Sequence, residues 1–174
     1  LLVLPAPLLQ LSAQTKGKAD AKLARVLRAG AATSNITPPL GGLIVGGFHP
    51  FPATHIHDEL HARCLVLDNG ETRLALVVCD LLGAAREMYD EARRLVHEQT
   101  GLPEANLLMS CTHTHSAVSA LNTNRYALRQ PLDDYQRFVA QRIADGVRRA
   151  INDLAPARVG WAVGREPNQV FNRR

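Results

Sequence analysis

The sequence predicts a mixed α/β domain, a β-sheet with flanking helices, present as an incomplete portion of a longer chain. Three observations carry this. Two apolar runs meet at Asn69-Gly70, the strongest short-range signal for a β-hairpin. Two later stretches repeat apolar residues at helical spacing, with a short apolar run between them. Finally, the 174 residues open without Met and stop at Phe171-Asn172-Arg173-Arg174 with no closing element, so a piece of something longer is expected.

Taken in order, Val26 to Ile36 reads as an opening strand that stops at Thr37-Pro38-Pro39. Gly41, Gly42, Gly46 and Gly47 then surround Leu43-Ile44-Val45, either a loop that lies close to a ligand or a set of turns. Leu60–Leu67 and Thr72–Cys79 are the hairpin strands. A two-residue type I′ turn needs φ > 0 at both central residues, which suits Asn-Gly. It would set Asp68 against Glu71 and Cys64 against Ala75, leaving Cys64 and Cys79 four residues apart along the strands, at about 3.3 Å per residue too far to bridge. Leu74 to Cys79 is apolar on both faces, so this strand should be central in its sheet.

Ala85 to Gln99 is helical, with Met88, Ala92, Leu95 and Val96 as its buried stripe and i,i+3 and i,i+4 charge pairs outside. Thr100-Gly101-Leu102-Pro103 ends it. Asn106–Ser110 is a buried strand. Leu132 to Leu154 holds a second helix whose core stripe is Tyr135, Phe138, Val139, Ile143, Val147 and Ile151. Arg158 to Val163 is the last strand. Counted from the hairpin, the order β-β-α-β-α-β describes a mixed sheet.

Composition agrees with a packed domain. Hydrophobic residues make up 46% and charged residues 21%. A mean hydropathy of −0.10 and the lack of a long apolar run exclude a polytopic membrane protein. Twenty Lys and Arg against sixteen Asp and Glu leave a scattered +4, which does not indicate a nucleic-acid partner. Residues 1–14 begin with nine almost wholly apolar positions and reach Leu11-Ser12-Ala13, which ends on small residues that a signal peptidase could read. A signal-peptide remnant is expected there, the alternative being an apolar arm packed on the domain. Residues 15–25 are polar and basic, a linker or short helix. The chain is therefore expected to be secreted or periplasmic. Cys64, Cys79 and Cys111 show no metal-site or CxxC spacing and read as small core residues.

The candidate chemistry lies in the histidines. Thr112-His113-Thr114-His115-Ser116 follows directly on a strand, and ligand sites collect at the C-terminal ends of strands in α/β sheets. If the backbone stays extended, His113 and His115 project to one side, with three hydroxyls to orient them. The pair could hold a metal, act as general acid and base, or be a hydrogen-bonded structural pair. His55-Ile56-His57, with Asp58, Glu59 and His61 nearby, is a second such group and could equally be a polar loop. Asp80, at the end of a hairpin strand, could orient a metal-bound histidine or cap a helix. His49 and His97 stand alone. The signatures GxGxxG, GxxxxGK[ST], HExxH and GxSxG do not occur.

Several segments together carry a family resemblance. Gly30 to Pro39 resembles an opening G-x-x-x-x-D-I-T-P element, and His61-Ala62-Arg63-Cys64-Leu65-Val66-Leu67 resembles a Y-[AS]-R-A-[FL]-[VI] strand. Leu76 to Gly83 resembles the V-x-x-D-x-G segment that follows, Ser110 to Ser116 resembles S-x-T-H-T-H-S, and Asn172-Arg173 resembles the start of N-R-S-P. In this order and spacing they are similar to the N-terminal part of the neutral/alkaline non-lysosomal ceramidases. The resemblance implies that residues 26–174 are the N-terminal portion of a ceramidase-like catalytic domain. It implies a zinc-dependent amidase that cleaves the N-acyl bond of ceramide to sphingosine and fatty acid, with one Zn2+. It also implies His113 as a zinc ligand, and His115 and Arg173 as catalytic residues that contact the substrate. A lipid or N-acyl amide substrate, a peripheral contact with a membrane and the remainder of its own chain are the expected partners.

The pattern also departs from the family. Ala117-Val118 stands where the family has Gly-Pro, Asn35 where it has Asp, His61 where it has Tyr, and Arg174 follows Asn172-Arg173 where Ser-Pro is usual. The family's remaining zinc ligands fall beyond residue 174, so these residues alone are expected to be inactive. Two alternatives stay open: a hydrolase of another N-acyl or small amide on the same scaffold, and a non-catalytic exported binding domain.

Overall fold

The computed structural model describes residues 26–47, 49–122 and 129–168. The leader and linker expected over 1–25 lie outside them, as do Asn172 and Arg173. The chain runs β1 (Arg28–Asn35), β2 (Leu43–Ile44), β3 (Phe51–Pro52), β4 (His61–Asp68), β5 (Arg73–Cys79), α1 (Arg86–Thr100), β6 (Leu107–Cys111), α2 (Asp134–Asn152) and β7 (Ala155–Pro156). A five-stranded sheet has the order β6-β5-β4-β1-β7, and β2 and β3 form a separate two-stranded ribbon. Only β5 and β6 run parallel, joined through α1; the other pairs are antiparallel. The mixed sheet with flanking helices expected from the sequence is therefore present.

Alternation decides the layers. Ala62, Cys64 and Val66 of β4, Ala75, Val77 and Cys79 of β5, and Leu107 and Met109 of β6 are all buried on one face. Met88, Ala92 and Val96 of α1 and Val139, Ile143 and Val147 of α2 meet them in a single core. Each fully buried aliphatic side chain contributes about 1.5–3 kcal/mol. α2 is started by a capping box: Asp133 accepts from the Gln136 N–H at 2.7 Å, and the Gln136 side chain accepts from the Asp133 N–H at 3.0 Å. α1 ends at Gly101, left-handed at φ 70°, whose N–H donates to the His97 carbonyl. No helix among the described residues is long and apolar enough to cross a membrane.

The structure corrects four expectations. First, the hairpin turn has four residues, and Asp68 faces Arg73 instead of Glu71. Of the two central residues, Gly70 alone takes positive φ (87°). The Asn69 side chain accepts from the Glu71 and Thr72 N–H groups at 3.0 and 2.8 Å, building an Asx turn in place of type I′. Cys64 then faces Val77, and Ala62 faces Cys79. All three cysteines are free, and burial pushes the Cys64 thiol up to about 12 and raises those of Cys79 and Cys111.

Second, β5 is interior to the sheet as expected, but β6, expected as a buried strand, is buried on one face only among the described residues. Leu65, Leu74, Val78 and Leu108 lie exposed on the other face of the sheet, because both helices pack against the same side. Third, Phe138 is exposed and leaves the core stripe to Val139 and Ile143, its ring stacking on Tyr135 at 6.3 Å. Fourth, the last strand is Ala155–Pro156, paired with β1, and Arg158 to Val163 is not a strand.

Candidate active site

The site is built at the C-terminal ends of the parallel pair. Thr112 N–H donates to the Cys79 carbonyl at 2.9 Å, carrying the β5–β6 alignment one residue past β6. The chain then turns sharply. His113 has φ 57° and is the single non-glycine residue with positive φ among the described residues. This conformation costs an ordinary side chain about 1 kcal/mol. It contradicts the extended backbone expected here, yet the two rings still meet, with centroids 5.1 Å apart in an edge-to-face arrangement. Turn geometry, not strand alternation, pairs them.

The His113 ring is fixed from behind. Its Nδ1 lies 2.7 Å from the Leu82 carbonyl oxygen. A carbonyl only accepts, so Nδ1 carries the proton and donates, and in the neutral ring the Nε2 lone pair is left free. The Leu82 segment is itself tied down: Leu82 N–H donates to the Val118 carbonyl, and Ala120 N–H to that of Gly83. His113 and His115 are both exposed. The Thr114 and Ser116 hydroxyls bond each other at 3.0 Å and not the rings, so the hydroxyl support expected for the histidines is supplied instead by a backbone carbonyl.

Asp80 is not the N-cap of a helix, and its hydrogen bonds go elsewhere than to a histidine ring. It accepts from the His61 N–H at 3.1 Å and pairs with the Arg63 guanidinium, bracing the ends of β4 and β5, while Ala85 occupies the N-cap of α1. His55, His57, His61, Arg63 and Asp80 line one cleft together with Thr112 and Thr114. The second histidine group is spread along that cleft. His57 bonds Asp58 at 2.8 Å, His55 approaches the Thr54 hydroxyl at 3.3 Å, and His61 lies 3.7 Å from Glu59. Among the described residues no three His, Cys, Asp or Glu side chains gather as a metal-holding group.

A second cleft lies across Pro38-Pro39-Leu40 and is apolar, lined by Leu43, Val45, Leu82, Leu121, Tyr135 and Phe138. The two clefts share Thr37, Pro38, Pro39 and Leu40 and are both largely apolar; the first adds imidazoles and hydroxyls, the second the carboxylates of Asp133 and Asp134, and neither is lined by His113 or His115.

Sequence reasoning missed Arg63, the Leu82 carbonyl and the closeness of the Gly41–Gly47 segment to the histidines. Arg63 had a signal: it is the one formal charge inside the apolar run Leu60–Leu67. A backbone carbonyl leaves none. The thiols of buried Cys64 and Cys79 and of half-buried Cys111 are poor candidate nucleophiles, since desolvation raises the pKa of each and disfavours the thiolate.

As a metal ligand His113 fits on chemistry: its proton is committed to a carbonyl at Nδ1, the arrangement that orients ligating histidines in zinc proteins. It is one donor, and a catalytic zinc needs three from protein.

No protein-family model and no curated protein matches the chain. Solved structures do. The chain is similar to a neutral ceramidase from Pseudomonas aeruginosa, at 20% identity and a TM-score of 0.63, over 76% of this chain and 22% of that one. It is also similar to a ceramidase complexed with C2, at 22% identity and a TM-score of 0.59, again over 76% and 22%. The chain therefore has a ceramidase-like fold and spans about a fifth of the length of the structures it matches.

Proposed function

We propose that this chain is part of a zinc-dependent amidohydrolase that cleaves the N-acyl bond of an amphiphilic amide, with ceramide as the reference substrate. The observation that carries the reading is the His113 ring, held at Nδ1 by the Leu82 carbonyl with Nε2 free, beside a second imidazole. The ceramidase-like fold supports it, and so do two adjoining, largely apolar clefts, which suit a substrate with an aliphatic tail.

In this reading His113 is a zinc ligand, and the further ligands come from a continuation of the same polypeptide. A bound zinc supplies Lewis acidity toward the amide carbonyl and an acidified water. The Leu82 carbonyl keeps the His113 proton on Nδ1 and the donor nitrogen directed away from the backbone. His115, whose ring abuts that of His113, orients the scissile amide and favours the negative charge developing on its oxygen. Arg173 adds a guanidinium to the same task; it lies outside the described residues. Residues 1–14 are read as an export signal, placing the enzyme outside the cytoplasm, with peripheral contact to the membrane that supplies the lipid.

The test is hydrolysis of ceramide and of short N-acyl amides by the longest polypeptide encoded in the reading frame that contains these residues. Zinc-dependent release of fatty acid is expected, and ceramide should be preferred over short acyl amides; the reverse preference supports the small-amide alternative. The 174 residues by themselves are expected to show no turnover, and amidase activity in them would contradict the ligand assignment.

A further inference from the structure

We infer that Gly46 is a positioning residue that sets the pose of the His115 ring against His113. The inference rests on the proposed use of His115, but its geometry stands independently. The glycine-rich segment runs along the histidine loop: Ile44 bridges Val118 antiparallel, and a side-chain carbon at Gly42 would lie 3.1 Å from Val118 Cγ1. At Gly46 the backbones are closest. A Cβ there would lie 2.5 Å from both Cα and Cβ of His115 and 2.7 Å from its Cγ, inside any allowed separation.

Two of these three atoms belong to the root of the side chain, so a rotamer change of His115 cannot relieve the clash; the two backbones must separate. The ring would be carried away from its edge-to-face contact with His113, 5.1 Å between centroids. His113 is held separately, by the Leu82 carbonyl, and does not depend on Gly46. Gly47 provides the control, because a Cβ there meets nothing nearer than 3.9 Å. Neither glycine has positive φ, so an alanine at either is sterically ordinary in its own backbone and the two substitutions differ only in what they strike.

The experiment is NMR of the histidine rings in the wild type, Gly46→Ala and Gly47→Ala, without metal. In the wild type, NOEs are expected from the Gly46 Hα protons to His115 and between the His113 and His115 rings. Gly46→Ala is expected to lose the inter-ring NOE with its circular dichroism unchanged, and Gly47→Ala to keep it. Retention of the inter-ring NOE in Gly46→Ala overturns the inference. Should Gly46→Ala not fold, the wild-type NOE from Gly46 to His115 decides, and its absence overturns the inference. If the longer polypeptide hydrolyses amides, Gly46→Ala is expected to lower kcat about a hundredfold with KM little changed. Absence of amidase activity in the wild type would refute the functional reading while the NOEs still judge the role of Gly46.

Discussion

At the scale of single residues, His113 concentrates the unusual features of the chain: a left-handed backbone, a committed Nδ1 proton and an exposed ring. Strain of this kind persists only where surrounding structure enforces it, and here the enforcing contact is the Leu82 carbonyl. His115 differs in having no such anchor in its own ring contacts beyond His113. The two should therefore separate by mutation. In the longer polypeptide, His115→Ala is expected to lower kcat by roughly 10²–10³ while zinc stays bound, as for loss of a group that steadies a developing oxyanion. Metal analysis alongside the kinetics checks this.

Asp68 is the corresponding structural residue. Its buried carboxylate accepts from the Gly70 N–H at 2.7 Å and from Arg73 Nε at 3.0 Å, and it pairs with Arg28 at 3.1 Å, so the hairpin turn and β1 share one charge. The Gly70 amide, with the two guanidiniums, holds its pKa below the ordinary carboxylate range. A lowered folded value means stability that is present above the unfolded value near 3.9 and is lost as pH falls beneath it. Asp68→Asn is expected to destabilise by about 3 kcal/mol at neutral pH and to flatten the loss of stability below about pH 4, both read from denaturant unfolding.

At the scale of elements, the helices answer to local rules. Asp133 caps α2 through the Gln136 amide, and Asp133→Ala should cost about 1 kcal/mol, seen as a lower urea midpoint at unchanged slope. Both helices were legible in the sequence because stripe, cap and stop agree with one another, as in Met88-Ala92-Val96 followed by Gly101. The hairpin was legible as a pair of strands but not in register, since the turn was decided by the Asn69 side chain reaching two N–H groups, a choice that Asn-Gly leaves open. The adjacency of His113 and His115 was legible from spacing; the αL turn that produces it was not, because it depends on a carbonyl thirty-one residues back in the chain.

At the scale of the whole molecule, the sheet is covered on one side by the described residues. Leu65, Leu74, Val78 and Leu108 form an apolar outer face on β4, β5 and β6. Sequence alone could not show this, since an apolar run reads the same whether its second face is covered by the chain in hand or not. A face of this kind promotes association in water. The 174-residue chain is expected to self-associate, and Leu74→Lys with Leu108→Lys to reduce it, as sedimentation velocity would report. A monodisperse wild-type monomer would contradict that expectation.

The functional reading depends on zinc reaching His113. Zinc content of the longer polypeptide, purified without added metal and compared with its His113→Ala variant of equal circular dichroism, addresses it in one assay. A zinc ion per chain in the wild type and none in the variant is the expected result. No zinc in the wild type, or zinc retained by His113→Ala, would contradict it.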